Sequence, residues 1–229
     1  MEIYHILTRG TEKRKIFQDE KDNFRFVHDL YEFNDEEPVN SSLTFSRKCY
    51  DVSRPNIGAE EGESRRKRKL LVTIHAFAIM PNHYHLLLSP LSERAVFFFM
   101  KKLNGGYARY FNQKYERKGR LFQSAFKSIL VEHESHFIHL PYYIHCNRLD
   151  AAFPGWRKRE LDNPTAAIGH LNKDRWSSHK DFMGEKNFPS VTQRDFLLEY
   201  FGGTEGYKEN MKSWLESFSE NKIGGLNLE

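Results

Sequence analysis

The chain has 229 residues, of which 39% are hydrophobic, 14% aromatic and 29% charged, enough for one generous domain, or one domain with an appendage, around a sizeable core. Cys49 and Cys146 form neither a metal spacing nor a disulfide framework, the opening residues lack a secretory pattern, and no apolar run approaches membrane-spanning length; a soluble cytoplasmic protein is expected. The formal net charge of +4 hides a concentration: residues 65–130 hold fourteen Lys/Arg against two Asp/Glu, a local +12, which is the electrostatic footprint of a polyanionic partner.

In chain order, "IYHILTRG" (Ile3 to Gly10) alternates as a first strand. Asp19 is placed to N-cap a helix with Phe24, Val27, Leu30 and Tyr31 at helical spacing. From Asn34 to Lys69 the pattern dissolves into a polar stretch rich in Pro, Gly and Ser that closes on five consecutive bases, and it reads as a long mobile insertion. Leu70 to Ile79 is the clearest strand. Met80-Pro81-Asn82 turns the chain and "HYHLLLS" returns as its partner. A helix is expected from about Ser92, with Asn104-Gly105-Gly106 as a break or kink. "GRLFQSAFKSILV" reads as extended, and "EHESHFIHLPYYIHCNRL" as a helix with Pro141 marking a kink or a late start.

The order strand, helix, strand, strand, helix, strand, helix predicts an α+β domain of the ferredoxin-like split β-α-β type with an antiparallel sheet over residues 1–156. Residues 157–229 follow as a C-terminal extension of shorter, charge-balanced elements, mostly helical or irregular, packed on or beside that domain. No repeat or low-complexity tract is present.

Strand side chains alternate faces, so His83 and His85 point the same way and could share a divalent ion. Tyr143 and Asn147, four apart on a helix, set a phenol beside an amide oxygen, with His136 and His139 on much the same face. In the central block, Tyr107, Tyr110, Phe111, Tyr115 and Phe122 alternate with Lys and Arg, a pattern suited to phosphates and unpaired bases. Taken singly, a structural histidine pair, a core tyrosine and a solvated basic face remain open readings.

Together these residues resemble the single-tyrosine HUH transposases, most closely the REP-associated branch. "MPNHYHLLL" is similar to the His-hydrophobe-His motif, "YYIHCN" to the tyrosine helix, "YHILTRG" with "IFQDEKDNFRFVHDL" to the opening strand and helix, and "YFNQKYERKGRLFQSAFKS" and "RWSSHKDFMG" to two further blocks. The resemblance covers most of the chain. It departs where the family often has Asn-Pro and this chain has Asn147-Arg148, and in the length of the insertion before Leu70. It implies Tyr143 as nucleophile and His83, His85 and Asn147 as ligands of Mg2+ or Mn2+; Tyr142 is a second phenol about 100° away around the helix. It also implies cleavage and rejoining of single-stranded, hairpin-containing DNA through a 5′-phosphotyrosine, without an organic cofactor and beside the nucleoid.

Residues expected to contact DNA are Arg9, the run Arg65, Arg66, Lys67, Arg68 and Lys69, and in the central block Lys101, Lys102, Arg109, Tyr110, Lys114, Arg117, Lys118 and Arg120. Other readings of the same motifs are an inactive hairpin-binding module, a replication initiator or relaxase, and a metal hydrolase. The last is disfavoured because residues 70–92 contain no Asp or Glu to bridge a metal.

Overall fold

The computed structural model describes residues 2–38 and 68–220. Four strands, β1 (Tyr4–Arg9), β2 (Val72–Met80), β3 (His83–Pro90) and β4 (Lys127–Leu130), form one antiparallel sheet in the order β2-β3-β1-β4. With α1 (Glu20–Glu32) between β1 and β2 and α2 (Ala95–Lys114) between β3 and β4, this is the ferredoxin-like split β-α-β arrangement. Then come α3 (Glu134–Cys146), short 3-10 turns at Asn147–Leu149 and Pro154–Lys158, and α4 (Pro164–Lys173), α5 (His179–Phe182), α6 (Asp195–Phe201) and α7 (Gly203–Glu220). Among the described residues no helix is long and apolar enough to cross a membrane.

The sheet is covered on both faces, which is why β2 and β3 are nearly continuous apolar runs. On one face Ile6, Tyr84, Leu86 and Phe77 pack with Phe26 and Leu30 of α1 and Phe99 and Leu103 of α2. On the other, Ala76, Ala78 and Leu87 share a core with Leu140 and Ile144 of α3 and with Phe182, Leu197, Phe201, Tyr207 and Leu215 of the extension. A bulge at His75 keeps both faces apolar. The register steps from Ile74 opposite Leu88 to Ala76 opposite Leu87, so that Ile74 and Phe77 reach the same core.

Asp19 caps α1 as expected, its side chain accepting from the Asp22 amide at 3.0 Å. Of the Asn34–Lys69 stretch, residues 39–67 lie outside the described residues. Its ends are fixed: Asn34 donates to the Val72 carbonyl and accepts from the Leu71 and Val72 amides, starting β2.

Three expectations are corrected. The α2 helix runs unbroken through Asn104-Gly105-Gly106. A Cβ at Gly106 would collide with the Phe33 ring, so this glycine permits close packing at the end of α1. Asn104 links the Tyr84 hydroxyl to the Ala125 carbonyl. Pro141 lies inside α3, which begins seven residues earlier, so there is no late start. Finally, the extension is not uniformly made of short elements, since α7 is 18 residues long.

Candidate active site

The β3 histidines open onto the face shared by α3 and the extension. The register places Leu7 opposite His85 and Arg9 opposite His83, so β1 contributes its odd-numbered side chains to the same face. One of them, His5, lies diagonally from His85; the two rings stack with centroids 5.1 Å apart and share a hydrogen bond, Nε2 to Nδ1, of 2.8 Å. His83 follows at 5.0 Å from His85, its Nδ1 donating to Asn82 Oδ1 at 2.6 Å. Three imidazoles therefore line up where two were expected. Burial first, then the positive neighbours His5, His83, Arg157 and Arg9, hold the His85 pKa well below the ordinary histidine value, so that ring is neutral.

The α3 helix brings Tyr143 over this row. Its ring stands edge-on to His85 at 6.1 Å and to His5 at 6.4 Å, and packs on Trp156 at 5.6 Å. One turn later Asn147 caps the helix. Its Nδ2 donates to the Tyr143 carbonyl (2.8 Å) and the Ile144 carbonyl (3.4 Å), which fixes the amide and turns Oδ1 the other way. Tyr142 goes elsewhere: it packs on Phe201, Tyr207 and Trp214 within the extension core. His139 stacks on Trp214, and His136 sits by His133, so neither joins the row on the sheet.

Arg157 connects these parts. Its Nη1 donates to the Tyr143 hydroxyl at 3.0 Å and its Nη2 to Asn147 Oδ1 at 2.6 Å. Asp150 orients the guanidinium in a fork, accepting from Nε at 2.8 Å and Nη2 at 2.9 Å, and also takes the Trp156 indole N–H. Burial opposes its charge, but Asp150 and Tyr143 outweigh burial and keep it protonated more firmly than usual.

His5, Arg157, Asp150 and Trp156 escaped the sequence reading. His5 had a signal, a histidine within a strand predicted to join the same sheet. Arg157 had none, because its place depends on a turn after α3.

The donor types suit a divalent ion, and an ion taking Asn147 Oδ1 would share that oxygen with Arg157 Nη2. His85 Nε2 is buried with no hydrogen-bond partner, although burying an imidazole nitrogen unpaired is costly unless something else occupies it. With His85 Nδ1 donating to His5, that nitrogen would present a lone pair, and the Asn82 bond engages the Nδ1 of His83. Asn147 supplies an oxygen. Among the described residues no group of three or more His, Cys, Asp or Glu gathers as a metal site; this donor set is two imidazoles and an amide.

The basic block divides between locations. Tyr107, Phe111 and Phe122 are buried in the α1–α2 core and present no ring to a base. Asp22 binds Lys114 (2.6 Å), Tyr110 (3.0 Å) and Tyr115 (2.8 Å), tying them to α1. Lys102 donates to the carbonyls of residues 35–37, and Arg117 to Asn112. Arg68 stacks on Tyr31 and donates to the Tyr31 and Asn34 carbonyls, while Lys69 pairs with Glu36 at 3.9 Å. Lys101, Arg109, Lys118 and Arg120 are exposed, the first two on α2, across the sheet from Tyr143. Arg65, Arg66 and Lys67 lie outside the described residues. Arg9 stands beside His83, and Lys127, which the sequence reading passed over, lies opposite Leu7 on the site's face and is exposed.

The four-stranded antiparallel sheet is the fold the element order implied. Residues 63–147 match the family model described as transposase IS200 like, a stretch running from before β2 to Asn147. The likeness to IS200-like transposases thus spans the segment that carries the His83–His85 pair and the Tyr143 helix. Among solved structures, the chain is similar to one described as "Structure of the REP associates tyrosine transposase bound to a REP hairpin", at 11% identity and a TM-score of 0.44 over 83% of this chain and 84% of that one. No curated protein sequence matches.

Proposed function

We propose that this protein cleaves and rejoins single-stranded, hairpin-containing DNA through a covalent tyrosine intermediate. The observation that carries the reading is the phenol of Tyr143 standing edge-on to His85, one helical turn from Asn147, within the stretch matched by the IS200-like transposase family, with His5 of β1 joining from outside that stretch. His83, His85 and Asn147 would hold Mg2+ or Mn2+, which when bound supplies polarisation of a non-bridging phosphate oxygen.

The chain's own residues do the rest. Tyr143 Oη attacks phosphorus as the P–O3′ bond breaks, the phenolic proton passes to water, and the leaving 3′ oxygen takes up a proton from water. The product is a 5′-phosphotyrosine and a free 3′-hydroxyl. Because the ester keeps the bond energy, a 3′-hydroxyl can reverse the step with no nucleotide cofactor. The His5–His85 bond and the Asn147 Nδ2 bonds fix side-chain directions in advance, so little reorganisation accompanies the reaction. Arg9 and Lys127 border the site and offer cations to the strand's phosphates.

The test is incubation with a pool of DNA hairpins bearing single-stranded flanks, in Mn2+. A covalent protein–DNA band is expected, lost on EDTA treatment and in Tyr143→Phe. Binding without a band across the pool would make the protein a hairpin-binding module and refute the reading.

A further inference from the structure

We propose that Arg157 is a further catalytic residue: its guanidinium holds the Tyr143 hydroxyl and the Asn147 amide oxygen together and faces the phosphodiester that Tyr143 attacks. This rests on the strand-transfer reading above.

Geometry makes the first argument. The Nη1 donor lies 3.0 Å from the phenolic oxygen and Nη2 lies 2.6 Å from Asn147 Oδ1, so one rigid plane spans both groups. The guanidinium also sits near the Tyr143 ring, 5.8 Å from its centroid, and nearer Trp156 at 4.9 Å, which limits where it can swing.

The second argument is the purpose of Asp150. A carboxylate engages one edge of a guanidinium, so which edge it takes decides where the remaining donors point. Here Asp150 takes the Nε edge and leaves Nη1 and part of Nη2 directed at the site. The ion pair is partly exposed, with side-chain accessibilities of 33% and 29%, so its bond to Asp150 adds little to stability. Its value is in aiming the fork.

The third argument is charge. As the Tyr143 O–P bond forms, the phenol gives up its proton and negative charge spreads over the phosphorane oxygens while the O3′ bond lengthens. Arg157 is a cation already in contact with the atom that becomes the bridging oxygen. Once the ester forms, the same donors adjoin the phosphate. A preorganised cation of this kind acts on the developing charge more than on the bound ground state.

The location matters as well. Arg157 belongs to the turn Pro154–Lys158 that opens the C-terminal extension, beyond the last residue of the family match at 147. The extension therefore supplies a working group and does more than cover the sheet.

The experiment compares wild type, Arg157→Ala and Arg157→Lys under single turnover with the hairpin pool in Mn2+. Hairpin affinity is measured separately with each change placed in a Tyr143→Phe background, and folding is followed by thermal melting. Removing one preorganised donor is expected to slow adduct formation about 100-fold in Arg157→Ala, with Arg157→Lys losing less and free guanidinium restoring part of the Arg157→Ala rate. Affinity should change less than about threefold, since the contact matters in the transition state. A positioning role through the fold alone would show lowered melting and no guanidinium rescue, and would overturn the proposal. So would an Arg157→Ala rate within about threefold of wild type, or a loss that appears entirely in affinity. Absence of any wild-type adduct would instead remove the strand-transfer reading, and this proposal with it.

Discussion

Lowering the pH from 7 to 4.5 should loosen the packing of the extension by charging one buried histidine, His179. Its Nε2 donates to Asn172 Oδ1 at 2.9 Å, so its Nδ1 accepts from the Tyr207 hydroxyl at 2.8 Å. The Tyr207 oxygen accepts from His145 Nδ1 at 2.7 Å. His145 Nε2 accepts from Ser178 Oγ at 2.8 Å, and Ser178 Oγ accepts from the Phe77 amide at 3.0 Å. This one-directional relay joins β2, α3, α7 and α4, and it closes only with both imidazoles neutral. Burial lowers the His179 pKa from 6.5 to about 4, against the pull of Asp174. Between those values the unfolded chain binds the extra proton, so stability rises with pH; it is fully present above 6.5 and is lost as pH falls toward 4. A pKa lowered by roughly 2.5 corresponds to about 3 kcal/mol. Urea unfolding followed by tryptophan fluorescence at stepped pH reads this directly. Wild type should lose more than that between pH 7 and 4, because burial also lowers His75 to about 4 and His145 well below its ordinary value, and the share of His179 is read from the variant. His179→Gln should start less stable at pH 7, with a slope shallower by up to about 1.4 kcal/mol per pH unit. An unchanged slope in His179→Gln would refute the assignment.

Gly106→Ala should lower stability by about 1–3 kcal/mol in the same urea assay, because the added methyl meets the Phe33 ring at a packed crossing; a neutral change would mean the crossing is loose. Lys127→Gln should weaken hairpin binding and make the slope of log affinity against log salt shallower by about 0.7 to 0.9, whereas Lys101→Gln with Arg109→Gln, on the far layer, should leave the slope unchanged; the opposite pattern would put DNA on the other face. Mn2+ at 100 times its dissociation constant should stabilise wild type by about 2.7 kcal/mol and His83→Ala far less, as thermal melting will show; equal stabilisation of both would exclude His83 as a ligand.

What the sequence disclosed was local. The period of two in "HYH" puts His83 and His85 on one face, the spacing of four sets Tyr143 and Asn147 on another, and Asp19 announces its helix, because each depends on a few neighbouring dihedrals. What it withheld was long-range. His5 meets His85 only through the β1–β3 register, and Arg157 reaches Tyr143 only because the turn Pro154–Lys158 folds back on α3, packing Trp156 on the Tyr143 ring. Composition misled in the central block: alternating rings and cations in α2 looked like a binding stripe, yet helical periodicity sends Tyr107 and Phe111 into the core, and Asp22 holds Tyr110 and Lys114. Glycines at 105 and 106 looked like a break for the same reason, since local propensity says nothing of the ring waiting on α1.

The most direct measurement of the central claim is to digest the covalent adduct formed with a cleavable hairpin and map the modified peptide by mass spectrometry. The expected result is a nucleotide 5′-phosphate on Tyr143, with the released strand ending in a 3′-hydroxyl. A phosphate on Tyr142 or on any other residue, or a released strand bearing a 3′-phosphate, would contradict the account.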